Sequence, residues 1–174
     1  MIAIEGSHGT SVTRAQHIQA SGFQLGSGRA GSGIYFWLGP YYIELAVGWY
    51  KYLASINEFD ADENSACAVI IVDVKAEEGE VLNLEDEELK NKIALVVKKQ
   101  GINPNNKAAV AKLYDSFIIR LEEKLQIKFR AIKIRVGIPP REFIRDYPIS
   151  IIGAPMCCVA RDTGCITIKS MRIM

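Results

Sequence analysis

Residues 6–37 read GSHGTSVTRAQHIQASGFQLGSGRAGSGIYFW, and the way this stretch divides decides the fold. Ahead of it, Met1 to Ile4 form a short apolar run that ends in Glu5-Gly6-Ser7, as a strand does on entering a loop. Ser11 or Thr13 then caps a helix whose apolar positions Ala15, Ile18 and Phe23 follow helical spacing, and Gly22 closes it. From Gly22 to Gly33 there are five glycines, with Ser27, Arg29 and Ser32 between them. Such a run packs no core, but its backbone can approach a ligand closely and leave N–H groups free to donate. It gives way to Ile34-Tyr35-Phe36-Trp37, an aromatic strand.

Working outward, Pro40 suits the first turn of a helix with Tyr42, Leu45, Ala46, Trp49, Tyr50 and Leu53 on its apolar face. Asn57 to Ser65 is a polar, acidic loop, and Ala66 to Val74 reads as a buried strand. After a turn at Glu77 to Glu80, a helix is predicted from near Leu84, with Lys98 and Lys99 in its last turn and Gly101 as its stop. Asn103-Pro104-Asn105 separates it from a second helix over Lys107 to Leu125, whose apolar face is Val110, Leu113, Phe117 and Leu121. Alternation at Phe129, Ala131 or Ile132, Ile134, Val136 and Ile138 predicts a strand that Pro139-Pro140 ends. The apolar stretch Ile149 to Ile152, the run Met156 to Ala160, and an alternating strand over Cys165 to Ile173 complete the chain. Strands at both ends and helices in the middle predict an α+β fold without internal repeats.

At 174 residues, 49% hydrophobic, 24% charged and with a net charge of +1, the chain is long enough for one core and too short for two ordinary domains. One domain over residues 1–174 is expected. The near-neutral balance offers no global case for nucleic-acid binding. Lys124, Lys128, Arg130, Lys133, Arg135, Arg141 and Arg145 do gather late, either as a basic strand face or as a merely solvated one. No apolar stretch is long enough to span a bilayer, and no signal peptide is expected at the N-terminus. Cys67, Cys157, Cys158 and Cys165 show no paired C-x-x-C spacing, which predicts a reduced, cytoplasmic protein. The two histidines, His8 and His17, lack ligand partners at metal spacing, so no metal is expected.

Four elements follow in order: Gly6-Ser7-His8-Gly9-Thr10, Ala15-x-x-Ile18, Gly22-Phe23, and Gly28-Arg29-x-Gly31-x-Gly33-Ile34-Tyr35-Phe36-Trp37. Together they resemble the diphtheria-toxin-like and poly(ADP-ribose) polymerase-like branch of the ADP-ribosyltransferases, in particular its small bacterial and phage members. The likeness is close from Ser7 to Trp37 and fades beyond. It implies a single-domain fold of two packed, mainly antiparallel sheets with helices at the flanks, and NAD as substrate. It also implies a clamp of His8, Gly9, Thr10, Arg29, Gly33 and Tyr35.

The residues suit that chemistry. The carboxamide of NAD needs a donor and an acceptor held rigidly, which the backbone of Gly9 can supply. Tyr35 can stack on the pyridine while its hydroxyl meets water or a ribose. His8 offers a ring nitrogen to a ribose hydroxyl, and Arg29 a guanidinium to the diphosphate or adenosine side. Thr10 supports the loop. Taken singly, His8 also reads as a loop histidine, Tyr35 and Trp37 as ordinary strand aromatics, and Arg29 as a solvated charge. A ligand-facing Tyr35 would be replaceable by Ala with little change in melting temperature.

The resemblance departs from the family pattern at one place. The strand that should carry the late catalytic Glu is Met156 to Ala160, and the position falls on Cys157. Three readings follow: transfer of a single ADP-ribose unit without that carboxylate, with Cys157 in its place; supply of the group by Glu142 or Asp146; or retention of binding alone. Cys157 is a nucleophile only if its pKa is lowered, and a buried apolar cysteine is the plainer reading. The expected function is mono-ADP-ribosylation of a protein or nucleic-acid acceptor by a toxin or a defence or counter-defence effector, with an antitoxin or inhibitor protein as partner. NAD glycohydrolysis and silent binding of NAD or ADP-ribose are the alternatives.

Overall fold

A computed structural model describes residues 1–174. Strand β1, Ile2–Ser11, does not end at Glu5 but runs on through the His8-Gly9-Thr10 motif. Glycine and serine are poor strand formers, yet β1 pairs antiparallel along its whole length with β4, Cys67–Ala76, from Ile2↔Ala76 to Ser11↔Cys67. Cooperative pairing with a nearly wholly apolar strand overrides local propensity. Helix α1, Val12–Ser21, follows without a loop. Of the two candidate caps Ser11 serves, its Oγ accepting from Arg14 N at 3.1 Å and donating to Asp62 at 2.6 Å.

The glycine-rich segment contains an unexpected strand, β2 (Gly26–Gly28), folded back on β3 (Gly31–Trp37). Helix α2, Tyr42–Ser55, lies against β1, and its Leu45 and Ala46 are wholly buried. A short strand β5, Val81–Asn83, precedes helix α3, Glu87–Gln100. Helix α3 begins later than Leu84 because that residue is buried and its N–H bonds Lys133 O at 2.9 Å, prolonging the β5 ladder; Asp86 is the cap. Gly101 adopts the left-handed conformation, φ 61°, that ends the helix.

Helix α4, Lys107–Leu125, has the predicted limits, but its buried residues are Ala111, Leu113, Ile118 and Glu122. The inward face is therefore wider than the predicted one, since Phe117 and Leu121 also pack against that core. Strand β6, Ala131–Arg135, is shorter than the alternation suggested. Ile149–Ile152 is a short helix, α5, and the chain closes with β7, Met156–Ala160, and β8, Ile166–Ile173.

The strands lie in the order β5-β6-β7-β3-β1-β4-β8, with β2 beside β3. Only β5 and β6 run parallel. The path is continuous but its centre is slight: β1 and β3 share one paired position, Ser7↔Trp37, and the strands on either side of it are mainly antiparallel. Two halves thus meet at one link and share a core in which Ile4, Ile70, Val72 and Val74 join Ile34, Phe36, Cys158 and Ala160. On the opposite face of β3, β7 and β6, α4 packs over Ile132, Ile134 and Val159. Helix α2 covers Trp37, Val69 and Cys157. Each such buried side chain contributes roughly 1.5–3 kcal/mol, more than a single helix cap at about 1 kcal/mol, so packing sets these boundaries where the two conflict.

Candidate functional site

Pairing of Gly26↔Gly33, Ser27↔Ser32 and Gly28↔Gly31 leaves Arg29 and Ala30 as the tip of a tight hairpin. A Cβ on Gly28 would stand 2.5 Å from Tyr35 Cζ, and one on Gly31 (φ +95°) would stand 2.6 Å from Asp115 Oδ1. Glycine is required there because a phenol and a carboxylate occupy the space. The Tyr35 hydroxyl donates to Gly31 O at 2.7 Å and accepts from Ala30 N at 2.9 Å. Ser32 N and Oγ both donate to Asp115, at 2.9 and 2.8 Å. The run is therefore a closed hairpin, its Ala30 and Ser32 N–H groups already committed, and the Tyr35 hydroxyl is engaged by backbone rather than free for water or a ribose. Burial raises the pKa of that hydroxyl.

His8 stands on β1 beside the place where β1 and β3 part. The register of Ser7 with Trp37 sets its ring on the side of Phe36, and it meets Phe23 and Phe36 edge-on at centroid distances of 5.5 and 6.1 Å. Its Nδ1 lies 3.1 Å from Tyr35 O. A carbonyl only accepts, so Nδ1 carries the proton and Nε2 is left as an acceptor. Nε2 has no partner within the protein and is not sealed from solvent. Histidine and tyrosine are thus joined through imidazole and main chain, while the phenol lies under the hairpin.

Burial lowers the pKa of His8 below its ordinary 6.5. The unfolded chain therefore takes up this proton first as the pH falls, so the neutral ring imposes no cost above 6.5 and the folded state loses stability below it. His8→Gln, which keeps a donor for Tyr35 O, is expected to flatten the decline in denaturant midpoint between about pH 7 and pH 5. Parallel profiles for the two proteins would show that His8 does not carry the effect.

The remaining candidates are dispersed. A Cβ on Gly9 would lie 2.1 Å from Ala46 O, so the backbone of α2 fills that side. Thr10 is buried beside it. Gly33 is crowded by Val159, 2.5 Å from a built Cβ. Arg29 donates to Pro104 O at 2.8 Å and so points to the connection between α3 and α4. Cys157 pairs with Trp37, and its thiol donates to Phe36 O at 3.0 Å. It is 1% exposed, and burial raises its pKa, the opposite of what an attacking thiolate requires. Glu142 and Asp146 are exposed, in a segment whose Phe143 and Ile144 pack against Gly48 of α2; no hydrogen bond ties either acid to His8 or Tyr35.

The acid that does reach the hairpin is Asp115, which also meets Arg161 at 3.3 Å. Its signal lies in the spacing of Ala111, Asp115, Ile118 and Glu122 on one stripe of α4: a polar residue amid inward positions asks for a partner. The late basic residues form no common strand face either. Only Lys133 and Arg135 lie in β6, while Lys128 meets Glu122 at 3.2 Å and Arg130 meets Asp162 at 2.8 Å.

All four cysteines are free thiols, and no group of three or more His, Cys, Asp or Glu side chains is placed to hold a metal ion. No helix is long and apolar enough to cross a membrane. The fold and this imidazole site define an α+β domain with an oriented histidine at a strand junction. No protein-family model matches the sequence, and no curated protein is significantly similar to it.

Proposed function

We propose that this protein binds NAD at the junction of β1 and β3 and transfers a single ADP-ribose unit to a macromolecular acceptor. The observation that supports this reading most is the fixed tautomer of His8: Nδ1 on the main chain of Tyr35, Nε2 an open acceptor for a ribose hydroxyl. It falls within the segment, Ser7 to Trp37, that resembles the nicotinamide-binding half of ADP-ribosyltransferases. Tyr35 enters this site through its carbonyl, which keeps the imidazole in place, while its ring packs on the opposite face of the sheet. The aromatic rings beside His8 are Phe23 and Phe36.

In the reaction, the bond between the nicotinamide nitrogen and the ribose carbon breaks, and its electron pair leaves with neutral nicotinamide. An acceptor heteroatom then bonds that carbon and releases its proton. Such a step rests on positioning and on a good leaving group. No carboxylate from β7 is available, because Cys157 occupies that position with a buried, protonated thiol. That observation favours a second reading, binding without turnover. With a macromolecular acceptor, the protein would act as a toxin or a defence or counter-defence effector, and an antitoxin or inhibitor protein would be its partner.

The test is incubation with NAD labelled in the adenylate, together with separate pools of protein, RNA and DNA, while nicotinamide release and NAD binding heat are followed. Label on one pool is expected. Nicotinamide release without label would make the protein a glycohydrolase, and binding heat alone a silent module. Neither heat nor release would remove NAD altogether.

A further inference from the structure

Helix α3 carries an apolar stripe of Leu89, Ile93, Val96 and Val97, yet none of its residues is fully buried. The space beneath it is unfilled. Two adjoining cavities of about 330 and 320 Å³ lie between α3, α4 and β6, and both are lined by Ile93, Tyr114, Ile134 and Arg135. Both are open to solvent along one side, so together they form a groove beneath an amphipathic helix rather than a sealed interior void. Its size and mainly apolar lining fall in the range of small-molecule pockets.

The charge around the gap is one-sided. Arg29, Lys90 and Arg135 line it against a single carboxylate, Glu85, which Lys90 meets at 2.5 Å and Arg135 at 3.8 Å. Arg135 is further held by the carbonyls of Ile152 and Ala154. Arg29 has only the Pro104 carbonyl as partner and no carboxylate. A guanidinium without a counter-ion at the mouth of an apolar cavity favours an anion that carries an apolar body. We propose that the cavity under α3 binds an amphipathic monoanion, an aryl or acyl carboxylate, sulfonate or phosphate ester, with its head on Arg29 and its body against Val97, Val110 and Tyr114. Tyr114 and Ile134 belong to the core on the side of the sheet away from the His8 ring, so this site is separate from the one proposed for NAD.

The probe is 8-anilinonaphthalene-1-sulfonate, a flat apolar body with one sulfonate, titrated by fluorescence into the folded protein. One saturable site per chain is expected. Arg29→Gln, a change at an exposed side chain, should weaken it roughly tenfold, the loss of one charge-assisted contact. Val110→Trp and Val97→Trp fill the cavity from two different helices, and whichever retains a cooperative melt should abolish saturable binding. Excess NAD should leave the probe bound. The proposal is overturned by wild-type affinity in a folded filled variant, by loss of binding in Trp49→Ala instead, or by the lack of a saturable site. Displacement of the probe by NAD would also overturn it, by making the cavity part of the dinucleotide site.

Discussion

Gly9→Ala is expected to lower stability by about 3 kcal/mol, through forced separation of β1 and α2. A methyl at this position would lie 2.1 Å from Ala46 O and 2.7 Å from its carbonyl carbon. Both are main-chain atoms, so no rotamer change can relieve the clash. Helix α2 must move as a body, but Leu45 and Ala46 are wholly buried and pack with Val69 and Trp37. For a chain of this size, 3 kcal/mol corresponds to roughly 6–12 °C in melting temperature. Gly79→Ala is the control: nothing lies within 4 Å of a Cβ built there, and the change should stay within about 0.5 kcal/mol. Equal melting temperatures for the two variants would mean that β1 and α2 are not in such close contact. Loss of NAD binding in Gly9→Ala would not by itself identify a carboxamide contact, since the same change displaces a helix.

Tyr35 separates packing from ligand contact more cleanly. Tyr35→Ala removes a ring that packs against two core clusters and leaves the Ala30 N–H without its acceptor. The expected cost is roughly 3–5 kcal/mol, as for other large-to-small changes at packed aromatics. This replaces the expectation of little change in melting temperature, which supposed a ring turned toward a ligand. Tyr35→Phe keeps the ring and deletes only the hydroxyl, and should cost about 1–3 kcal/mol. Faster hydrogen exchange at Ala30 would show the hairpin loosening. Because the ring packs on the face away from His8, the Phe variant should retain NAD binding when measured well below its melting temperature. A Phe variant as stable as the parent, with unchanged exchange at Ala30, would refute the hydroxyl's role in closing the turn.

Much of the helical structure was legible from residue type. Ser11 as a cap, Gly101 as a stop and the limits Lys107–Leu125 each depend on contacts within a few residues, which is the range over which sequence is a direct record. The sequence supplied candidate residues for a site, but their arrangement was not legible in it. His8 and Tyr35 do come together, yet through an imidazole and a carbonyl rather than two rings facing one cavity. That difference follows from strand register, which a glycine-rich, weakly patterned stretch does not specify. Asp115 was missed because its meaning depends on Ser32, Gly31 and Arg161, which approach it only in the fold.

The α+β class and the order of most elements were determined by local pattern: apolar period, caps and spacing act through neighbours along the chain. Tertiary structure decided the length of β1, the closure of the glycine hairpin, the burial of Cys157 and the gap beneath α3. Each of these depends on which distant segments pair and how tightly they pack. Pairing and packing energies of several kcal/mol outweigh the few tenths by which most residues prefer one backbone state to another, so the partner across the sheet settles what the residue alone leaves open.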